Sequence, residues 1–475
     1  MQKLTAGFAQ APFTPAPSDV FMDGYGFRVS PAEGVRDDLY VKVCAIRSGG
    51  ERFAIISLDV CGMREDIYDI VTGHITAICG LPRDKMTVCA THTHASVACG
   101  LLADLPVNFM LWHHIGVLAG QTVKTAFENA AEGHFIPLQC DDLRSANNRR
   151  NGGGLCDRRV KVIGFYDACG DPAGFIVSAS CHPVIRKDMQ LSADYPGVLT
   201  RDAAQKFPGV PFVFLQGRAA DVNPSDMNGV SPDAACERLG GELRDSVFGA
   251  IANARVAQER GARVCGSNAS GAKVRSTQVA DGDTVYGTWN TDAFGAIVGS
   301  ADVCALRDGY IRIDVPMKDY PDAGELEKAA FSLRENLYAV RTNRERREPL
   351  RKLLWNENAL KQVMAGNKRN TLNVPLQIMV ISGEAAFIFI PFELLTGTGD
   401  SVEEMLTRLG YSADSAMVIS YSNGTYGYLA PKGEIPAGGY EIDEAFYWYG
   451  LPQCCENSEG AVLDGVRGLI KTVCE

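Results

Sequence analysis

Histidine is scarce in this chain, seven residues in 475, so any cluster of it is informative. Other absences exclude whole function classes. No segment reaches the ~18 uninterrupted apolar residues of a membrane span, and stable membrane association is not expected. The opening MQKLTAGFAQAPFTPAPSD lacks an apolar core of signal-peptide length, which predicts a cytoplasmic location. A basic surplus is missing too: the formal net charge is -11, against a general affinity for nucleic acid or anionic membrane. There is no G-x-x-x-x-G-K-[ST], no convincing G-x-G-x-x-G after a strand and no G-x-S-x-G. Phosphate loops, dinucleotide folds and the serine mechanism of α/β-hydrolases are therefore disfavoured. The fifteen cysteines contain no C-x-x-C pair and are scattered, as suits reduced, buried, small hydrophobes.

What is present is an ordinary globular composition, 46% hydrophobic and 22% charged. Neither a linker nor a repeat divides the chain, so one continuous catalytic unit over residues 1–475 is the simplest organisation. YVKVCAIRSG, RFAIISLDV, KMTVCATHT, RVKVIGFYD, GFIVSASCH and VPFVFLQG read as strands. EDIYDIVTGHITAICG, WHHIGVLAGQTVKTAFENAAE, PGVLTRDAAQKF and DAACERLGGELRDSVFGAIANA read as helices. An extended region then runs to about Val315, followed by two charged helices on either side of Pro349. The basic run RTNRERREPLRK within them reads as a solvated helical face and turn. VPLQIMVISG and AAFIFIPFE form a strand pair joined at Gly383-Glu384, then come a helix and the strand AMVISYSN. The fold class is α/β, mixed αβ: a large mixed β-sheet core flanked by helices.

Polar chemistry recurs just beyond strand ends: His92 and His94, His182, Asp221 and Asn223, Glu393, and Asn423 with Tyr428. Loops beyond strand ends are where rigid sheets place ligand-binding groups, so these five ends predict one convergent site. His92 and His94 in VCATHTHASVACG lie two apart, on one face if extended. Imidazole pairs suit zinc, but hydrogen-bonded core histidines give the same pattern. His182 before Pro183 reads equally as a structural strand terminator. Glu393 follows a mostly apolar run, so buried it needs a cation, a metal or donors; otherwise it is the acidic start of a helix. Asp221 and Asn223 are also the residues of an Asx turn. His74, the His113-His114 pair at a helix start, and His134 in a Gly-flanked loop read as surface or capping residues.

Taken in order, THTH, N-N-R-R, C-H-P, Q-G-x-x-x-D-V-x-P, P-F-E and N-x-x-x-x-Y-L-x-P, then Tyr440-Glu441 and Tyr449-Gly450, resemble the catalytic domain of neutral, non-lysosomal ceramidases. The starting GFAQAPFTP and GYG segments belong to the same resemblance. It implies a zinc amidase. Its metal ligands match His92, His182, Glu393 and Tyr428. His94 matches a substrate-facing residue, Arg149 an active-site arginine, and Tyr440 a tyrosine that polarises the scissile carbonyl. Zinc so held lowers the pKa of water from ~15.7 to about 7, and an oxyanion donor such as Tyr440 contributes roughly 3 to 4 kcal/mol.

Two departures matter. Ceramidases carry G-D-V-S-P-N where this chain has Ala220-Asp221-Val222-Asn223-Pro224-Ser225, so an amide replaces the hydroxyl that bears on catalysis. The family's C-terminal β-sandwich is also expected to be absent. The expectation is therefore a zinc-dependent hydrolase of an amide in an N-acyl or related small molecule, with Asp221 and Asn223 beside His94, Arg149 and Tyr440 in the catalytic set. An esterase or lactonase on the same site, or a silent binding protein, are the alternatives, and homo-oligomer formation is left open.

Overall fold

The structure is a computed structural model that describes residues 3–102, 105–151, 153–225, 229–265, 305–367 and 370–474. Its strands form β1 (Leu4–Pro12), β2 (Tyr40–Ser48), β3 (Glu51–Leu58), β4 (Met86–Ala90), β5 (Ala131–Leu138), β6 (Val160–Asp167), β7 (Pro172–Ala179) and β8 (Phe212–Gln216). These make one mixed sheet in the order β8-β7-β6-β5-β1-β2-β3-β4. The pair at each edge, β3 with β4 and β7 with β8, is parallel. A second sheet contains β9 (Leu306–Met317), β10 (Asn370–Ile381), β11 (Ala385–Phe389) and β12 (Ala416–Ile419) in that order, with β11 and β12 parallel.

The two sheets lie face to face with helices outside them. In β3, Phe53 and Ile55 point inward against Met379, Phe387 and Met417 of the second sheet. Ala54, Ile56 and Leu58 point the other way, against α1 (Glu65–Cys79) and α2 (Phe109–Glu128). A strand buried on both faces needs a continuous apolar run rather than alternation, as FAIISL supplies. The other half of the outer face is covered by α3 (Tyr195–Lys206) and α4 (Pro232–Cys265). β9 is an edge strand and alternates instead, with Arg307, Asp308, Arg312 and Asp314 along it. Next come α5 (Ala323–Ala339), α6 (Asn343–Met364), α7 (Thr396–Arg408), the short α8 (Ala445–Tyr449) and α9 (Ser458–Cys474). Helices α7 and α9 cover the outer face of the second sheet.

The larger sheet curls, so that β8 at one edge lies against β2, β3 and β4 near the other. A hydrogen bond from Ser57 Oγ to Phe214 O, 2.6 Å, crosses this closure. The second sheet continues it: Ala90 N donates to Tyr421 O at 3.0 Å and Asn423 N to Val88 O at 2.8 Å. Strand ends far apart in sequence and in sheet order are thereby brought to one place.

Several sequence expectations change. The helix expected from Trp112 begins at Phe109, capped by Asn108, whose Oδ1 accepts from Leu111 N at 3.0 Å. His113 and His114 are thus in its second turn. His134 is not in a loop but within β5, where its Nδ1 meets Glu384 Oε1 at 2.8 Å. Pro349 does not separate two helices: it lies inside α6, whose start is fixed by a Thr342–Glu345 capping box. The basic run is not wholly solvated, because Arg347 and Arg351 are buried and donate to the carbonyls of Arg28 and Trp448. Helix α4 runs past its expected end at Ala254, and the extended region foreseen before Val315 lies largely outside the described residues. No helix among the described residues is long and apolar enough to cross a membrane.

Candidate metal centre

His92 stands two residues beyond β4 and His182 three beyond β7. The curling of the sheet brings their ring centroids to 4.8 Å. Each imidazole is fixed from behind by a backbone carbonyl: His92 Nδ1 donates to Cys61 O at 2.5 Å, and His182 Nδ1 to Ala219 O at 2.5 Å. That choice of tautomer leaves both Nε2 lone pairs facing forward, the arrangement of metal-ligating histidines. Both Nε2 atoms lie 3.4 Å from Glu393 Oε2.

Glu393 is fully buried four residues beyond β11. It is not a solvated helix-starting acid, since α7 begins at Thr396. Two phenols hold it. Tyr421 OH donates to Oε2 at 3.2 Å, and Tyr449 OH donates to Oε1. Burial, then the adjacent Glu393, pushes both phenols well above their ordinary range, so they act as donors. Tyr421 also stacks on His92, with ring centroids 4.0 Å apart at 20°.

The donor set fits a metal ion. Ligating atoms of His92, His182 and Glu393 all lie within 4.8 Å of one another, and His182 Nε2, fully buried, makes no hydrogen bond. Burial and the nearby Arg149 charge push His182 down to about 4, so its imidazole is neutral at pH 7, the form that ligates. Two imidazole nitrogens and a carboxylate oxygen make a zinc-type set with room for further ligands. A second triplet, Cys61, His92 and His94, shares His92 with the first.

Tyr428 reaches the centre through a short parallel pairing in which Glu393 and Tyr428 stand in register. Its hydroxyl accepts from Arg149 Nη2 at 3.1 Å. His94 Nε2 lies 3.1 Å from His92 Nε2 while its Nδ1 has no hydrogen-bond partner. Burial and the neighbouring His92 and His182 hold His94 well below the ordinary histidine range. Arg149 Nε and Arg150 Nη1 grip opposite oxygens of Glu441 at 2.8 and 2.6 Å. Glu441 and Tyr440 belong to a π-helical turn, Tyr440–Glu444, entered through Gly438 and Gly439 at φ 62° and 104°. Tyr440 is 45% exposed and its ring is 6.1 Å from that of Tyr428.

Asp221 is placed differently from these. Its Oδ1 accepts from Thr396 N and Oγ1 at 2.9 and 2.8 Å, and its Oδ2 from Asn148 Nδ2 at 2.9 Å. It ties the start of α7 to the strand that precedes Arg149. Asn223 lies in a short antiparallel pairing opposite Asn147, with its Oδ1 buried and unpartnered. Asn423 accepts from Val88 N at 3.0 Å and donates to Gln377 at 2.7 Å, joining the sheets behind the site.

Sequence reading gave no role to Tyr421 or to Arg28. Arg28 is buried and donates to the carbonyls of Asp23, His94, Arg186 and Asp188, clamping the His94 loop. Tyr421 carries one legible trace only in structure, a φ of 52°. Of the four non-glycine residues at positive φ among those described, His92, Tyr421 and Asn423 surround this centre. Such backbone strain concentrates at functional sites.

This architecture matches solved structures. The neutral ceramidase of Pseudomonas aeruginosa superposes with a TM-score of 0.68 over 99% of this chain and 74% of its own, at 15% identity. A structure of a ceramidase complexed with C2 gives 0.68 over 99% and 75%, at 14% identity. The chain has the neutral ceramidase fold. Neither a protein-family model nor a curated protein sequence matches it.

Proposed function

We propose that this chain is a zinc-dependent hydrolase that cleaves an amide in an N-acyl or related small molecule. The observation that carries the reading is the buried set of His92, His182 and Glu393, each imidazole locked by a carbonyl so that Nε2 faces the carboxylate. A carboxylate buried there without a cation is costly, and a divalent ion resolves that cost. His92, His182, Glu393 and Tyr428 are the residues that would hold zinc, which when bound supplies Lewis acidity and brings the ionisation of water down to about pH 7.

The chain's own groups divide the remaining work. Tyr440, at the open side of the centre, donates to the carbonyl oxygen as negative charge gathers on it. Arg149, linked to both Tyr428 and Glu441, keeps that wall in register. His94 is held neutral beside His92 and has a free Nδ1, so it can carry a proton to the departing amine. Asp221 and Asn223 position the turn beneath His182, whose N–H donates to Val222 O at 2.9 Å.

The test is metal content followed by turnover. Protein purified without chelator should contain about one zinc per chain, lose amide hydrolysis on chelation and regain it with zinc. Absence of bound metal together with no stabilisation by added zinc would sink the proposal. Matched amide and ester substrates then separate an amidase from an esterase.

A further inference from the structure

A cavity of about 800 Å³ opens beside Arg149 and Tyr440, immediately outside the candidate centre. Its walls carry paired charges. Arg149, Arg150, Glu434 and Glu441 line it as an ion-paired set, with Arg150 Nε 3.3 Å from Glu434 and both arginines on Glu441. Among its lining residues, Leu155 is the one aliphatic side chain larger than a methyl, and it is 63% exposed. Burying a long run of methylenes there would desolvate those paired charges without answering their polar atoms.

The set is also electrically balanced, two cations against two anions, so it does not select a carboxylate, a phosphate or an ammonium group. What remains on offer is mixed. Asn151 has an amide nitrogen and Glu434 a carboxylate oxygen outside the hydrogen bonds found among the described residues. Hydroxyl groups, which both donate and accept, answer such a mixture. The half-exposed ring of Tyr440 adds a flat face against which the C–H face of a sugar can lie.

We infer that the portion of the substrate lodged in this cavity is a polyhydroxylated group, a sugar or polyol attached to the scissile amide, and not a long alkyl chain. This rests on the metallohydrolase reading for the position of the amide, but the ligand class follows from the cavity.

The experiment uses the zinc-loaded full chain with three amides. N-acetylglucosamine and N-butylgluconamide carry the polyol on the amine and acyl sides respectively; N-hexylhexanamide carries alkyl on both. At least one polyol amide should exceed N-hexylhexanamide in kcat/KM by about tenfold or more, and Glu434→Leu with Asn151→Leu should narrow that preference by about tenfold. Binding of the same three compounds is measured by calorimetry in parallel. Faster turnover of N-hexylhexanamide overturns the inference while the hydrolase reading stands. Binding of a polyol amide, weakened by the double variant, without hydrolysis of any amide supports the cavity's ligand class and counts against the hydrolase reading. Failure of both polyol compounds to bind overturns the inference outright.

Discussion

Tyr421 and Tyr449 hold opposite oxygens of Glu393 from two different segments, so the carboxylate has one orientation relative to the imidazoles. Removing such an outer partner typically costs 10–100-fold in metal affinity. Tyr449→Phe is therefore expected to weaken zinc binding by roughly that factor, with circular dichroism unchanged; chelator competition measures it, and unchanged affinity would deny the phenol this role. The two histidines of THTH should part company under substitution. His92→Ala loses zinc, because its Nε2 faces Glu393, whereas His94→Ala retains zinc and loses turnover by about 10²–10⁴-fold, the usual worth of a proton-transfer group. Metal analysis beside steady-state kinetics checks both, and zinc loss in the second variant would make His94 a ligand instead.

Elements matter here through their ends. Asp221 fixes the first residue of α7 to the Asn148 strand, a link buried on all sides. Asp221→Ala strands those donors and is expected to cost about 2–3 kcal/mol, the penalty of buried donors left unpaired. Denaturant unfolding measures it, and a loss below about 0.5 kcal/mol, the level of a neutral surface change, would remove the tie from the account. The π-helical turn depends on Gly439 at φ 104°, where a Cβ would lie 3.2 Å from Arg150 Nη1. Gly439→Ala should lower kcat through displaced Tyr440 and Glu441 while zinc content stays near one per chain, about the wild-type value. Wild-type kcat in that variant would show that the turn does not position Tyr440.

At the scale of the molecule, the His134–Glu384 contact joins the larger sheet to the β10–β11 turn. The hydrogen bond with Glu384 raises His134 above its ordinary 6.5, against a smaller opposing effect of burial. A raised histidine pKa means that the folded chain holds the proton more tightly than the unfolded one. Its stabilising contribution is therefore full below pH 6.5 and disappears as pH rises through the higher folded value. His134→Gln should lower Tm relative to wild type at pH 6, and the difference should shrink as pH is raised from there to about 9. A Tm difference independent of pH between those limits would assign the effect to packing.

The mixed αβ class, most strands and the convergence of strand ends were legible because apolar runs and their polar terminators are local patterns. FAIISL and FVFLQ read correctly as buried strands for that reason, and THTH, C-H-P and P-F-E marked the residues that now face one another. β1 and β5 were missed: GFAQAP is broken by small and polar residues, and His134 with Gly133 looked like a loop until pairing with β6 made it a strand. Pro349 reads as a break, yet the helix continues through it, capped at Thr342 and Glu345 and packed through the buried Arg347, Arg351, Leu353, Trp355 and Ala359. Sequence by itself determined which side chains stand at the strand ends, since periodicity and burial are short-range consequences of residue type. Only the tertiary structure decided that Tyr421 stacks on His92, that Asp221 ties α7 to its neighbour, and that the cavity beyond Tyr440 is walled by paired charges. Those relations depend on tertiary packing, which brings together segments 175 or more residues apart and leaves no trace in local spacing.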